Sequence, residues 1–551
     1  MRRLLPILAA VVSVTAAAAQ PPTPATLATP ATPATTSGII RGRVVGADGR
    51  PVKQVVVRVL GTTVRMQRGG LTDENGRYEL KDLAGDTYTI TINHSRFFAI
   101  DTARRTPSAG KRVTLRNGEV LEHVDIVVSR TSAITGRVTD EDGEPVEGAQ
   151  VQALQLRFAN GRRQLIEGGR SRGTNDLGQF RLYGMQPGQY VISVMPATTG
   201  TNRLPGYALT YYPGTPVVAE AQFVVVEIGH DRENVDVRLS PGRNARVSGV
   251  AIAVDSRPFN GSVILANSQR SGGLSAPPRQ LPVQADSTFD IPNVPPGEYV
   301  LQTFVLTGDQ DGQFAMQYVT VGDQDVKGVT LRASRGSNLA GRITLEGDAS
   351  DVKPSAFSMM PFPADFDLAP MTGNGYRAQI RADRTFDMKG LFGPTRLNLS
   401  GAPAGWMIKT VRSGGIEVTD TPLMFGRPNQ SLDDLEVVLT NRSGSVSGTV
   451  ADARGQAVTD FVVIVFATDH DRWYRESRFL KYALAEPDGS FDVRALPAAE
   501  YFVAAVDWMQ PSPGFGEWQD PEILDALSRR ASRVTLTDGQ RVQLSLKLVP
   551  R

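Results

Sequence analysis

Thr174-Asn175-Asp176-Leu177-Gly178-Gln179-Phe180-Arg181-Leu182, followed by Pro187-Gly188-Gln189-Tyr190-Val191-Ile192, reads as a tight turn, a strand, a second turn and another strand. Asn and Asp side chains bond their own backbone two residues on, and glycine takes a positive φ without a Cβ clash. Asp176-Leu177-Gly178 therefore bends the chain. Phe180 and Leu182 then alternate with Gln179 and Arg181, the period of a half-buried strand. Pro187-Gly188 is the next turn signal, and Tyr190, Ile192 and Val194 carry the strand after it.

Variants of this stretch recur. Thr72 to Leu80 closes with Gly85-Asp86-Thr87-Tyr88, Ala285 to Ile291 with Pro296-Gly297-Glu298-Tyr299, and Pro487 to Val493 with Ala499-Glu500-Tyr501; Ala382 to Met388 completes a set of five. The copies at Asp286 and Asp383 lack the turn glycine and are the diverged ones. Each unit also opens alike, through Gly42-Arg43-Val44, Gly136-Arg137-Val138, Gly249-Val250, Gly341-Arg342-Ile343 and Gly448-Thr449-Val450. Each closes on a short alternating strand such as Val235 to Leu239. Short strands separated by turn signals read as β-sandwiches, and fixed internal repetition reads as an array of them. The expected fold class is all-β: a tandem array of five small Greek-key β-sandwich domains with one short helix near the C-terminus. The units span 38–130, 131–241, 242–334, 335–441 and 442–551, after a signal peptide at 1–19 and a Pro/Thr/Ala linker at 20–37. The linkers between units are only a few residues long, so the expected shape is a semi-rigid rod with some bending and small contacts between neighbours. Asp520-Pro521-Glu522 starts the one helix, with an N-cap, a proline at the first helical position and an acid in the first turn.

Met1-Arg2-Arg3 and the apolar run from Leu4 to Ala16 form the charged and apolar parts of a secretory signal, and Ala17-Ala18-Ala19 supplies a cleavage site before Gln20. The apolar run is too short to span a bilayer, which takes about 20 residues. The expected location is secreted, periplasmic or at the cell surface. Without Arg2 and Arg3, 57 basic residues face 57 acidic ones, which argues against an electrostatic footprint for nucleic acid or anionic membrane. There is no cysteine, hence no lipid-attachment cysteine, disulfide or thiolate. Each domain must be held by its apolar core, which a domain of roughly a hundred residues can do.

The series Gly136, Asp140, Gly143, Pro145, Gly148, Ala149, Val151, Asp176, Gly178, Phe180, Pro187, Gly188 and Tyr190 resembles the carboxypeptidase regulatory-like domain. Units one, two and five carry the resemblance most fully. It implies a transthyretin-like or starch-binding-like Greek-key sandwich of about seven strands. It also implies accessory, adhesive or carbohydrate-contacting roles in the cell envelope, and no catalytic residue. Tyr211-Tyr212-Pro213-Gly214 and Trp518-Gln519-Asp520-Pro521-Glu522 are similar to segments such domains carry in large secreted bacterial proteins.

His230-x-x-Glu233 has the spacing of a zinc-binding pair, but a zinc site needs a third ligand, and the only downstream histidine, His470, lies in another unit. His94 and His123 are isolated, on or beside strands, and read as structural. Asp140-Glu141-Asp142-Gly143 lacks the further oxygens and terminal Glu of a calcium loop and reads as hairpin chemistry. Neither metal nor cofactor is expected, and the chain reads as non-enzymatic. Aromatics are the better lead. Tyr211 and Tyr212 beside Pro213-Gly214, Trp473 and Tyr474 in a polar context, and Trp508 and Trp518 bracketing Pro511 to Gly516 could offer flat apolar faces to sugar rings or proteins. The competing expectation is that each folds back as a lid on its own sandwich. The readings are a scaffold or adhesion array, a carbohydrate-binding protein using loop aromatics of unit two or five, and, as a remote alternative, accessory domains of a hydrolase system. The expected partners are glycans or cell-envelope proteins, with no nucleic acid and no membrane span.

Overall fold

The structure is a computed structural model. It describes residues 37–550 apart from 62–66, 103–105, 109, 160, 170–171, 197–206, 243, 255–258, 260, 269, 271–276, 307–311, 351, 372–376, 428–429 and 510–515. The signal peptide and nearly all of the Pro/Thr/Ala linker lie outside the described residues.

The architecture is all-β, and one strand arrangement repeats. In unit two the opening strand Ser132–Thr139 pairs antiparallel with Gln179–Met185, the strand of the decisive stretch, and parallel with the closing strand Val237–Arg238. The other units repeat this around Gly38–Gly46, Ala245–Ile252, Ser337–Glu346 and Gly444–Ala451. A second sheet covers it; in unit five that sheet runs Leu480–Leu484, Val462–Ala467, Ala499–Val506 and Ser532–Leu536 in spatial order. Strands distant in sequence are neighbours in space, as in a Greek key. Five apolar cores result, one between the two sheets of each unit, and none includes residues of a second unit.

The turns work as their residues require, with one shift of role. Asn175 rather than Asp176 closes the turn: its Oδ1 accepts the N–H of Leu177 at 3.1 Å and of Gln179 at 2.7 Å. Asp73 does the same for Asn75 and Arg77. The diverged units keep the bend without glycine. Ser287 (φ 69°) and Arg384 (φ 65°) stand where Gly178 has φ 70°. There Asp286 and Asp383 accept both the N–H and the hydroxyl of the threonine two residues on, which supports the strained position.

The opening glycines have a different reason. A Cβ on Gly136 would lie 2.0 Å from the Val235 carbonyl oxygen, and the Phe180 ring closes over the same spot. Gly42, Gly249, Gly341 and Gly448 meet a closing-strand carbonyl in the same way. In four of the five units the tyrosine after the second turn is buried and donates to the carbonyl four residues back: Tyr88 to Ala84, Tyr190 to Gln186, Tyr299 to Pro295 and Tyr501 to Pro497. Burial leaves such a phenol unwilling to ionise, and Tyr299 is pushed up to about 12.

The units do not form a rod. Unit five turns back onto unit two, and Arg112 of unit one donates to the Ala485 carbonyl of unit five at 2.7 Å. Short linkers permit this because the helix-bearing insert of unit five and the exposed face of unit two offer complementary charge. Unit three docks on unit four through Gln302. Its buried amide donates to the carbonyls of Phe366, Asp367 and Ala369 and accepts the N–H of Met371. Ser268 donates to the buried Asp367 carboxylate at 2.9 Å.

Candidate functional site: a cleft between three units

The insert of unit five starts as sequence chemistry dictates. Asp520 caps helix α1 (Pro521–Ser528) by accepting the Glu522 N–H at 3.1 Å. The same carboxylate accepts from Arg163 of unit two at 2.7 Å, and Arg163 also reaches Glu522 at 2.7 Å. Arg157 of unit two pairs with Glu517 at 2.9 Å, and the Gly516 N–H donates to the Phe158 carbonyl at 2.9 Å. Leu524 and Leu527 of α1 pack on the outer face of the sheet, forming a second apolar cluster with Phe466, Trp473 and Phe502.

Unit four meets unit five through Asp420. Its carboxylate accepts from Arg478 Nε and Nη2, at 2.9 and 2.8 Å, and from the Tyr474 hydroxyl at 3.0 Å. Burial alone would raise the Asp420 carboxyl, but the hydrogen bonds and charge of Arg478 outweigh it and hold the group below the usual carboxylate range. Burial, and then the Asp420 charge, push Tyr474 up to about 12. The Arg396 guanidinium lies 3.9 Å over the Tyr474 ring. Between these two junctions lies a cleft of 470 Å³, walled by units two, four and five. That volume falls in the size range of small-molecule sites.

The aromatics singled out from sequence part ways here. Tyr474 and Trp518 line the cleft. Trp518 is half-buried and its ring packs 4.8 Å from that of Tyr482, a residue 42 % exposed. Trp473 is 7 % exposed, donates to the Ala467 carbonyl at 2.7 Å and stacks on His470; it lies in the apolar cluster under α1. Trp508 is half-buried in the same cluster and donates to the Val549 carbonyl. Tyr211 is 3 % exposed in an apolar cluster of unit two, and Tyr212 packs partly buried on that unit's core. Four of the six thus pack against their own sandwich, Trp473 and Tyr211 buried and Tyr212 and Trp508 partly so.

Sequence reasoning did not single out Arg396, Asp420, Arg475, Arg478 or Lys481. A signal existed: Arg472 to Lys481 interleaves basic and aromatic residues more densely than elsewhere in the chain. The other candidates hold turns. Asp140 Oδ1 accepts the N–H of Asp142 and Glu144, and His230 Nδ1 lies 2.9 Å from the Ile228 carbonyl. Among the described residues no three His, Cys, Asp or Glu side chains converge as a metal site, and no helix is long and apolar enough to cross a membrane.

Residues 39–129 and 133–248 each match the family model of the carboxypeptidase regulatory-like domain. No curated protein sequence matches the chain. Among solved structures, a streptococcal ancillary pilin is similar at 11% identity, covering 54% of this chain and 99% of its own, with a TM-score of 0.17. The shaft pilin SpaA of Lactobacillus rhamnosus GG is similar at 13% identity, covering 38% of this chain and 98% of its own, with a TM-score of 0.21. The major pilin subunit of Bacillus cereus is similar at 9% identity over 54% of this chain and all of its own, with a TM-score of 0.16. Likenesses this remote carry no argument about what this chain does.

Proposed function

We propose that this chain, in which residues 39–129 and 133–248 are carboxypeptidase regulatory-like domains, is an exported, non-catalytic structural protein whose five sandwiches work as one docked assembly. The observation that carries this is the clasp between unit two and the insert of unit five. Two arginines meet three carboxylates across it, and one of them, Asp520, is buried and also caps a helix. Isolated exposed pairs contribute little, but a shared, partly buried network with a backbone hydrogen bond holds a geometry. A docked block keeps its binding faces at set distances, which suits a scaffold in the cell envelope.

Charge reversal tests this directly. In Arg157→Glu/Arg163→Glu, small-angle X-ray scattering should show a larger radius of gyration while circular dichroism keeps its β signature. An unchanged radius sinks the docked assembly. Export is checked separately, by the mass of the N-terminus of protein recovered outside the cytoplasm; a chain retaining Met1 argues against the signal.

Carbohydrate contact is a second reading, favoured by the Trp518–Tyr482 pair on the cleft wall. A ring stacked there would exchange water for aromatic surface on one side and find polar groups on the other.

A further inference from the structure

The chain as a whole is nearly neutral, with 59 basic and 57 acidic residues. The cleft is not. Its wall carries Arg396, Arg475, Arg478 and Lys481 against Asp420 and Glu476. Arg478 is taken up by Asp420. Arg396 lies over Tyr474 and donates to the Asp420 backbone carbonyl, and Arg475 covers the Phe362 and Phe366 rings. Lys481 differs: among the described residues its ammonium makes no hydrogen bond and no ion pair. The residue is partly buried. Burial pushes the ammonium below the usual lysine value, against the pull of Glu476.

Its place in the fold is also unusual. Lys481 sits on the strand Leu480–Leu484, opposite Val465, in the register that Phe479 and Ala483 use to face the core of unit five. Alternation calls for an apolar side chain there. The strand is the edge of its sheet, so its outer backbone groups have no strand partner. Tyr482, the next residue, points to the other face and meets Trp518. The cleft therefore wraps a sheet edge, with an under-compensated cation on one side and an aromatic pair on the other.

We propose that this cleft binds a short acidic oligosaccharide, about two rings long, such as a uronic-acid disaccharide. Lys481 takes a carboxylate, Arg475 adds to the field, and the Trp518–Tyr482 pair takes a ring face. Sugar hydroxyls meet the open edge of Leu480–Leu484. A bound carboxylate supplies a charge-assisted partner that the Lys481 ammonium lacks among the described residues. The proposal rests on the docked assembly, since units two and four complete the walls.

Isothermal titration of the full chain with digalacturonate should show saturable binding, with cellobiose and acetate at least about tenfold weaker. Lys481→Gln should weaken digalacturonate about tenfold or more, the loss of one charge-assisted hydrogen bond, and Lys481→Arg should restore most of it. No heat with digalacturonate, equal affinity for acetate, or Lys481→Gln binding as tightly as the unmodified chain overturns the proposal. So does Lys481→Gln aggregating with affinity intact, which assigns Lys481 to protection of the sheet edge. Should Lys481→Gln not fold, salt decides: affinity that is flat across ionic strength overturns the role of charge. Scattering on the same sample separates the two levels. A compact chain that binds nothing sinks the site alone, and an extended chain sinks both.

Discussion

Single residues explain why the repeat has the letters it has. Glycine opens each unit because the closing strand's carbonyl occupies the space of its Cβ, 2.0 Å away at Gly136. Gly136→Ala should therefore destabilise unit two by about 2–3 kcal/mol, since backbone must move to relieve the overlap. Urea unfolding followed by hydrogen exchange over 131–241 checks it; protection unchanged there contradicts the close-approach account. Trp473 is the opposite case, a residue whose polar neighbours suggested an exposed face. It fills the core beside Phe466 at 5.5 Å. Trp473→Ala should cost about 3–5 kcal/mol, as large-to-small changes in a core do. A variant of near-native stability would return Trp473 to the surface. The fold-back has a physical source: His470, Asp471 and Arg472 form a 3₁₀ turn capped by Asp469, and the indole that follows turns inward.

At the scale of elements, the strands and α1 were legible, because alternation, Asp-Gly turns and an Asp-Pro-Glu start are local chemistry. What α1 does was not. Asp520 caps it and also anchors Arg163 of unit two, two roles that substitutions can separate. Asp520→Ala should cost at least about 1 kcal/mol through the lost cap. Asp520→Asn keeps the cap and loses the full charge, so it should leave thermal stability of unit five nearly intact while loosening the clasp, read by scattering. If both substitutions lower the melting temperature equally, the cap is not the dominant role.

For the whole molecule, the junction of units four and five is set by a charge and should answer to pH. The folded Asp420 carboxyl lies below its ordinary value of 3.8, because the Arg478 hydrogen bonds and charge outweigh burial. A depressed acid stabilises the folded form fully above that ordinary value, and the contribution fades as pH falls through the folded one. Asp420→Asn should thus be less stable than the unmodified chain at neutral pH, with the gap closing in strong acid. Urea titrations from pH 7 to pH 2 measure it, and a gap that widens in acid reverses the assignment. The rod expected from short linkers failed at this scale. Linker length limits how far apart neighbours can be, and says nothing of whether unit five meets unit two.

The sequence alone determined the repeat, the all-β class, the turn chemistry and the helix start, all of which depend on contacts between residues close along the chain. The tertiary structure decided which aromatics keep a free face, which carboxylate meets which arginine, and that a cationic cleft lies among units two, four and five. Lys481 and Phe158 stand more than 300 residues apart and share that cleft. No local pattern encodes such a meeting, because it depends on how whole sandwiches dock through side chains that look like ordinary surface until their partners are in place.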